Sequence, residues 1–285
     1  MKLENDRLVL ECVPRSGEIL SLYDKKTDTE LMYQRDGAWS DSNPTLFPIV
    51  GNTWNGKYEI DGQEYAMKNH GLIRYADLTP VKKENAVCFE YDATAEDLKQ
   101  YPFPFHFVIE YTLEDNKVHI HYEVTNTGTE NMPFTFGLHP AFRVPQKAGE
   151  VFEDYRLVYE PAGKALQLHF DGDKTWCREE EITLADWQLN RQDIKEAATL
   201  VYKHPACTKA VLCYKEEPRI TVSFPGFPYL AVWTHPEDSD FLCIEPWYGH
   251  ADFIKQETDF ASREGMMALA PGQCWKTDYT IEAEG

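Results

Sequence analysis

The chain has 285 residues, of which 42% are hydrophobic and 27% charged, a composition typical of globular proteins rather than disordered or fibrous ones. Its 28 Lys and Arg residues are outnumbered by 48 Asp and Glu residues, so the formal net charge is −20. A surface of that sign repels phosphate backbones and anionic headgroups, which argues against a nucleic-acid or membrane partner. No apolar run reaches the roughly eighteen residues that a membrane-spanning helix needs.

The seven cysteines are scattered without a C-x-x-C pair. This pattern argues against a zinc ribbon or a disulfide framework and favours a reducing compartment. The first twenty residues alternate polar and apolar side chains and lack the apolar core of a signal peptide. We therefore expect a cytoplasmic protein.

Aromatic residues make up 13% of the chain, and this usage favours strands. Residues 57–67 read KYEIDGQEYAM, in which Asp61 and Gly62 predict the tight turn of a hairpin. Residues 107–126 predict two further alternating strands around an acidic turn. Later alternating runs predict strands at residues 155–159, 209–214, 219–224, 229–234, 241–245 and 275–282.

Helical periodicity is scarce. Residues 92–101 predict a short helix, with Asp92 or Thr94 as its N-cap, and residues 182–195 are ambiguous. Many short strands with frequent turns, and no linker that divides the chain, predict one β-sandwich domain over residues 1–285.

The segment FTFGLHPAF, residues 134–142, is a first candidate for a site. Alternation along a strand places Gly137 and His139 on one face, opposite three apolar side chains. The missing side chain of Gly137 leaves room for a ligand beside His139, and Pro140 ends the hydrogen-bond ladder. The alternative is a core histidine that hydrogen-bonds the backbone.

The segment FLCIEPWYGH, residues 241–250, is a second candidate. Both of its faces are apolar up to Glu245, which predicts a strand covered on both sides and a partly desolvated carboxylate. Pro246 is expected to stop the strand, and Trp247 adds a flat aromatic surface. The alternative is a glutamate exposed at a strand exit.

The segment KNHGLIRY, residues 68–75, is weaker. His70 precedes Gly71, and Arg74 follows four residues later. A loop histidine with a surface arginine would give the same pattern.

Metal and cofactor signals are poor. His119 and His121 face the same side of one strand, but no third ligand is identifiable. No G-x-S-x-G, P-loop or G-x-G-x-x-G motif occurs. We therefore expect neither a metal nor a cofactor.

Taken together, these segments resemble the aldose 1-epimerase (galactose mutarotase-like) family, and most of all its bacterial LacX-like branch. The similarity runs from TLFPIVGNTWNGKYEIDGQEY through NHGLIRYADLTPV and FTFGLHPAF to FLCIEPWYGHADF and LAPGQCW. The resemblance implies an all-β, single-domain antiparallel β-supersandwich. It also implies a sugar, a hexose with or without a phosphate, as the partner.

The resemblance also implies roles at individual positions. Glu245 matches the general base that acts on the anomeric hydroxyl, and His139 matches the general acid toward the ring oxygen. His70 matches a histidine that hydrogen-bonds the substrate near that oxygen. Trp247 and Trp233 are candidate walls on which the sugar ring could stack. One base and one acid suffice to open a pyranose, and we expect an ionised Glu245 to hold His139 charged.

The chain departs from the family pattern at the substrate-binding positions. Residues 48–52 read PIVGN, without the arginine that binds substrate in galactose mutarotases, and Asn52 is kept as a candidate substrate contact. Arg74 matches an arginine of the sugar-phosphate branch, although phosphate sites normally cluster several basic residues. Asp186 and Asp193 are candidates for the family's substrate-binding aspartate.

Three functions stay open from the sequence. The leading hypothesis is an aldose 1-epimerase that acts on a free hexose. The alternatives are a hexose-6-phosphate 1-epimerase and a non-catalytic sugar-binding or regulatory protein.

Overall fold

The computed structural model describes residues 1–170, 177–237, 239–256 and 259–285. In these ranges the backbone is mostly β-strand, and no helix is both long and apolar enough to cross a bilayer. The two α-helices of these ranges are α1 (Asp97–Gln100) and α2 (Arg191–Ala197).

The strands follow one another at short intervals through the whole chain. They are β1 (Lys2–Glu4), β2 (Leu8–Cys12), β3 (Ile19–Asp24), β4 (Thr29–Glu30), β5 (Thr45–Leu46), β6 (Lys57–Ile60), β7 (Gln63–Ala66), β8 (Thr79–Lys83), β9 (Ala86–Asp92), β10 (Phe105–Glu114), β11 (Lys117–Asn126), β12 (Met132–Phe134), β13 (Gly137–Leu138), β14 (Ala141–Arg143), β15 (Tyr155–Phe170), β16 (Cys177–Gln188), β17 (Leu200–Lys203), β18 (Lys209–Tyr214), β19 (Glu217–Ser223), β20 (Tyr229–Trp233), β21 (Phe241–Trp247), β22 (Met267–Leu269) and β23 (Cys274–Ala283).

Most strands join one large sheet. Its order is β5-β13-β21-β20-β17-β15-β18-β19-β23-β11-β10-β9-β8, with β14 paired to β21 and β16 paired to β15. Strands β1 to β4 form a smaller sheet, while β6 pairs with β7 and β12 with β22. The ladders between these strands are antiparallel, so the predicted all-β antiparallel supersandwich is confirmed.

Alternating side chains explain how the sheet encloses its core. Along β10 and β11, buried residues alternate with half-exposed ones, as expected for strands with one covered face. The ring of Phe47 packs 4.8 Å from that of Phe105 and 5.6 Å from that of Phe134, measured between centroids. These contacts join β10, β12 and the loop after β5, which leads directly into the pocket described below.

The predicted helix at residues 92–101 is shorter than expected. Strand β9 runs on through Asp92, which lies opposite His106 of β10, so Asp92 cannot cap a helix. The helix begins only at Asp97, whose N–H donates to the Thr94 hydroxyl at 3.2 Å. The ambiguous segment divides into the end of β16 and the start of α2.

Gly62 and Gly71 are among the glycines with a left-handed backbone, and they adopt it for different reasons. Gly62, with φ of 79°, forms the predicted hairpin turn together with Asp61, and a Cβ added there would contact nothing within 4 Å. Gly71, with φ of 81°, follows His70, and a Cβ there would lie 2.3 Å from the carbonyl oxygen of Phe47. The close approach at Gly71 therefore excludes a side chain.

We expect Gly71→Ala to destabilise the protein by about 1–3 kcal/mol more than Gly62→Ala. Both variants strain a left-handed backbone, but only Gly71→Ala adds a steric collision. Urea unfolding of the two variants would measure the difference. Equal losses of stability would mean that the contact with Phe47 relaxes at no cost.

Candidate active site

Register across three strands brings the two strongest candidate residues together. Ala141 pairs with Cys243 in an antiparallel ladder. His139, two residues before Ala141, therefore lies opposite Glu245, two residues after Cys243. On the other side of β21, Ala231 lies opposite Glu245. The three side chains share one face of the sheet, and His139 Nε2 lies 3.4 Å from Glu245 Oε2.

Strand β21 does not stop where the sequence predicts. Pro246 lies opposite Leu230 inside the ladder, and the strand continues through Trp247. Every residue of β21 is buried, so the expectation of a strand covered on both faces is confirmed. Glu245 consequently lies inside a strand, and only 1% of its surface is exposed.

Gly137 makes room for one wall of the site. It lies opposite Trp247, and an added Cβ would lie 2.7 Å from the Trp247 ring and 2.8 Å from Val50 Cγ2. The Trp247 indole N–H donates to the Leu138 carbonyl at 3.1 Å, which fixes the ring over the floor of the pocket. The space that the sequence assigns to a ligand beside Gly137 is filled by this ring.

The second histidine is held by the backbone. The Gly51 N–H donates to His70 Nδ1 at 2.9 Å, and the His70 N–H donates to the Gly51 carbonyl at 2.8 Å. Because Nδ1 accepts a hydrogen bond, a neutral His70 carries its proton on Nε2. The His70 ring lies 5.5 Å from the His139 ring at 86°.

Burial sets the protonation of these groups. It raises the pKa of Glu245 well above its ordinary value and lowers the pKa of His139 to about 3, with the positive charge of Arg74 a smaller influence on each. Burial likewise lowers the pKa of His70 well below its ordinary value. The expectation of a charged His139 is therefore wrong for the free protein, in which burial favours the neutral form of both partners.

Two atoms of the pair lack partners. Glu245 Oε2 and His139 Nδ1 are buried without a hydrogen bond to any residue that the structure describes. Buried polar atoms are normally satisfied, and a catalytic or ligand-binding role is one explanation for an exception. The pair is therefore a candidate ligand contact.

A pocket of about 430 Å³ opens over the pair. This volume is typical of a small-molecule site. The candidate catalytic residues, the two candidate tryptophan walls, Asn52 and Arg74 all line it: Asn52, His70, Arg74, His139, Trp233, Glu245 and Trp247.

Arg74 is neutralised by a neighbour that the sequence did not indicate. Its Nε and Nη2 donate to Asp41 Oδ2 at 3.0 and 2.7 Å. Arg74 is the one Lys or Arg that lines the pocket among the described residues. The basic cluster that a phosphate normally recruits is therefore absent from the described walls.

Trp39 is a further wall that sequence reasoning missed. Its ring lies 4.9 Å from the His139 ring and 5.4 Å from the Trp233 ring. The loop that carries it is anchored by buried Glu18, whose carboxylate accepts from the Ser42 N–H at 3.0 Å and the Ser42 hydroxyl at 3.1 Å. This loop also supplies the Asp41 carboxylate, and it has no periodic pattern that could reveal it from sequence.

The aspartate of the pocket is Asp252, not the candidates proposed from sequence. Asp186 and Asp193 line a separate depression beside α2. Asp252 lines the pocket, where its Oδ1 accepts from Arg263 Nε at 2.9 Å and its Oδ2 from the Trp54 N–H at 2.7 Å. Asp252 follows Glu245 within FLCIEPWYGHADF, so the motif carried a signal for it.

His119 and His121 lie outside the pocket. His119 Nε2 is 3.1 Å from a Glu114 carboxylate oxygen, and His121 Nε2 is 3.0 Å from one of Glu123.

Another group has the side chains that metal sites use: the ligand atoms of His139, Cys243 and Glu245 all lie within 4.8 Å of one another.

The fold defines the chain as a galactose mutarotase-like protein. The family model described as aldose 1-epimerase matches residues 1–282, and the chain belongs to that family. Membership supports an isomerase that acts on a sugar.

Several relatives resemble the chain over its whole length. The plasmid-encoded LacX protein of Lactococcus lactis subsp. lactis is 28% identical, over 99% of this chain and 98% of its own. A galactose mutarotase related enzyme from Lactobacillus acidophilus superposes with a TM-score of 0.92 at 26% identity, covering 100% of this chain and 97% of its own. A galactose mutarotase-like protein from Lactobacillus casei gives a TM-score of 0.90 at 28% identity, covering 99% of each chain.

We expect the imidazole of His139 to stay neutral at pH 5, because burial lowers its pKa to about 3. His121 is an internal control, because its pKa is shifted in the opposite direction. Its partial burial opposes protonation, but hydrogen bonds to Asp278 and Glu123 outweigh that effect and raise its pKa above 6.5. Nitrogen-15 NMR of the labelled protein would measure the protonation state of both rings. Titration of His139 near pH 6.5 would contradict the prediction that burial keeps its imidazole neutral.

Proposed function

We propose that the protein interconverts the α and β anomers of a free hexose by general acid–base ring opening and closure. The observation that carries the proposal is the 3.4 Å contact between His139 Nε2 and Glu245 Oε2 at the floor of the pocket. The anomeric hydroxyl and the ring oxygen of a pyranose are bonded to the same carbon. An acid and a base a few ångströms apart can therefore reach both oxygens at once.

The proton count of the pair fits this reaction. With one proton between them, the pair is either a neutral carboxylic acid beside a neutral imidazole or a carboxylate beside an imidazolium. The second form is reactive: Glu245 takes the proton of the anomeric hydroxyl while His139 protonates the ring oxygen as the C1–O bond breaks. This step leaves Glu245 protonated and His139 neutral, which is the form that burial favours.

Ring closure runs the same transfers in reverse. The open-chain aldehyde turns about its C1–C2 bond and presents the other face to the hydroxyl that was the ring oxygen. Glu245 returns a proton to the carbonyl oxygen, and His139 accepts the proton of the attacking hydroxyl. The proton removed and the proton supplied balance in each half-reaction, so the pair needs no exchange with solvent.

Surrounding groups orient the sugar in this proposal. His70 presents its Nε2–H as a donor near the ring oxygen, because Gly51 already occupies Nδ1. Trp39, Trp233 and Trp247 offer apolar faces to the C–H side of the ring. Asn52 supplies a side-chain amide to the hydroxyls.

The alternative of a phosphorylated hexose rests on Arg74, which lines the pocket. Both side-chain hydrogen bonds of Arg74 go to Asp41, so the arginine offers little net charge to a phosphate. The formal net charge of −20 also repels a dianion. These observations favour a neutral sugar.

Glu245→Gln should lower kcat/KM for anomer exchange by about 10²–10⁴-fold, because the amide keeps the shape but cannot accept the proton. The exposed Glu84→Gln variant makes the same change of charge away from the site and should keep wild-type activity. NMR exchange spectroscopy between the two anomers gives the rate.

Wild-type exchange by Glu245→Gln would remove Glu245 from its role. Sugar binding without any acceleration by the wild-type protein would instead favour a non-catalytic sugar-binding protein.

Free glucose or galactose should exchange with a kcat/KM at least about tenfold above that of glucose 6-phosphate, because a paired Arg74 contributes little to phosphate binding. Asp41→Asn should narrow that ratio, since it releases the arginine from its carboxylate. The same exchange measurement on the three sugars tests both statements. A wild-type preference for the phosphate would establish the sugar-phosphate alternative.

A further inference from the structure

Cys243 is a buried thiol beside the acid–base pair that the proposed reaction does not use. It precedes Glu245 by two residues on β21, so the two side chains share a face of the sheet. Trp233 lies opposite Cys243 on β20, and Trp39 and Phe241 pack in the same apolar cluster. Cys243 therefore lies at the floor of the site, under the tryptophans.

The three neighbouring side chains have the spacing of a metal site. The ligand atoms of His139, Cys243 and Glu245 all lie within 4.8 Å of one another. Two ligands on a tetrahedral zinc ion, each about 2.0–2.3 Å from the metal, are about 3.3–3.8 Å apart. The 3.4 Å between His139 Nε2 and Glu245 Oε2 falls in that range, and a pair at the 4.8 Å limit would have to close by about 1 Å around a bound ion.

The chemistry of the three donors also suits a borderline-soft cation. Imidazole, thiolate and carboxylate are the ligand types that zinc uses, and three protein ligands with one open position are typical of accessible zinc sites. Glu245 Oε2 has no hydrogen-bond partner among the described residues, so no such bond must break for it to bind an ion. His139 and Glu245 line the pocket, which provides the entry path and a fourth position for water.

We propose that His139, Cys243 and Glu245 form a site for one zinc-like divalent cation, and that the bound ion inhibits the protein. The ion would take the lone pair of His139 and the carboxylate of Glu245, so neither group could transfer a proton. Cys243 must give up its thiol proton to bind, and the charge of the ion offsets that cost. The inhibitory half of the proposal rests on the proposed function, whereas the binding half does not.

Cobalt binding tests the site without any assay of activity. Cys177 and Cys274 are the exposed thiols of the described chain and could bind the probe, so the experiment uses the full-length Cys177→Ser/Cys274→Ser protein after removal of metals with EDTA. Titration with Co²⁺ should give a thiolate-to-cobalt charge-transfer band in the near ultraviolet with one equivalent. Adding Cys243→Ala should abolish the band, and Cys243→Ser should do the same if the alanine variant does not fold.

Zn²⁺ inhibition of anomer exchange tests the second half. The metal-free protein should be inhibited competitively with the sugar, and Cys243→Ala should raise the inhibition constant at least about tenfold, measured against the variant's own metal-free rate. Exchange by EDTA-treated protein serves as the reference.

The two measurements separate the two ideas. No charge-transfer band with Cys243 intact, or a band that persists without it, would overturn the metal site whatever the activity. A Cys243-dependent band with unchanged anomer exchange would keep the site and overturn the inhibition. A protein that binds cobalt through Cys243 but never accelerates exchange would count against the proposed function alone.

Discussion

A carboxyl group and an imidazole buried against each other form the contact on which the rest of the site depends. Glu245 is 1% exposed and His139 7% exposed, and their nearest side-chain atoms are 3.4 Å apart. A single charge at such a depth costs several kcal/mol unless it is paired. With one proton between the two groups the pair has no net charge, and burial favours the tautomer in which neither group is charged.

The scaffold keeps this contact by fixing the backbone on every side of it. β21 lies between two neighbouring strands, so its ladder sets the position of Glu245 along the sheet. Gly137 leaves space for the Trp247 ring, and the hydrogen bonds of Gly51 orient His70. Trp39, Trp233 and Trp247 line the pocket around the pair, and in the proposed function they offer flat surfaces to a sugar ring.

Much of the fold and several residues that line the pocket could be predicted from local sequence patterns. Alternation marks the strands, and Asp61 with Gly62 marks a hairpin, because both effects act over a few residues. The motifs around His70, His139 and Glu245 also combine polar residues with glycine or proline in short segments. The convergence of His139 and Glu245 depends on the pairing of β13 and β14 with β21, which are about a hundred residues apart in the chain, and His70 is held by Gly51; no local pattern encodes either contact.

The missed residues share a different origin. Trp39 and Asp41 lie in an irregular loop whose position depends on the buried carboxylate of Glu18, a long-range contact. Asp252 lies in an irregular segment after β21, where side-chain direction does not follow from alternation. The charge on His139 was predicted wrongly because the sequence indicates a neighbouring carboxylate but not the depth of burial, and here burial has the larger effect.

The pH dependence of kcat/KM for anomer exchange tests the shared proton most directly. In the proposed reaction the pair holds one proton, so we expect activity to be lost only when a second proton binds or that proton leaves. The low pKa of His139, about 3, opposes the first event, and the raised pKa of Glu245 opposes the second. We expect a constant kcat/KM from about pH 5 to pH 7, after subtraction of the uncatalysed rate. A decline with a midpoint near 6.5 would show that His139 titrates as an ordinary, independent histidine and would contradict it.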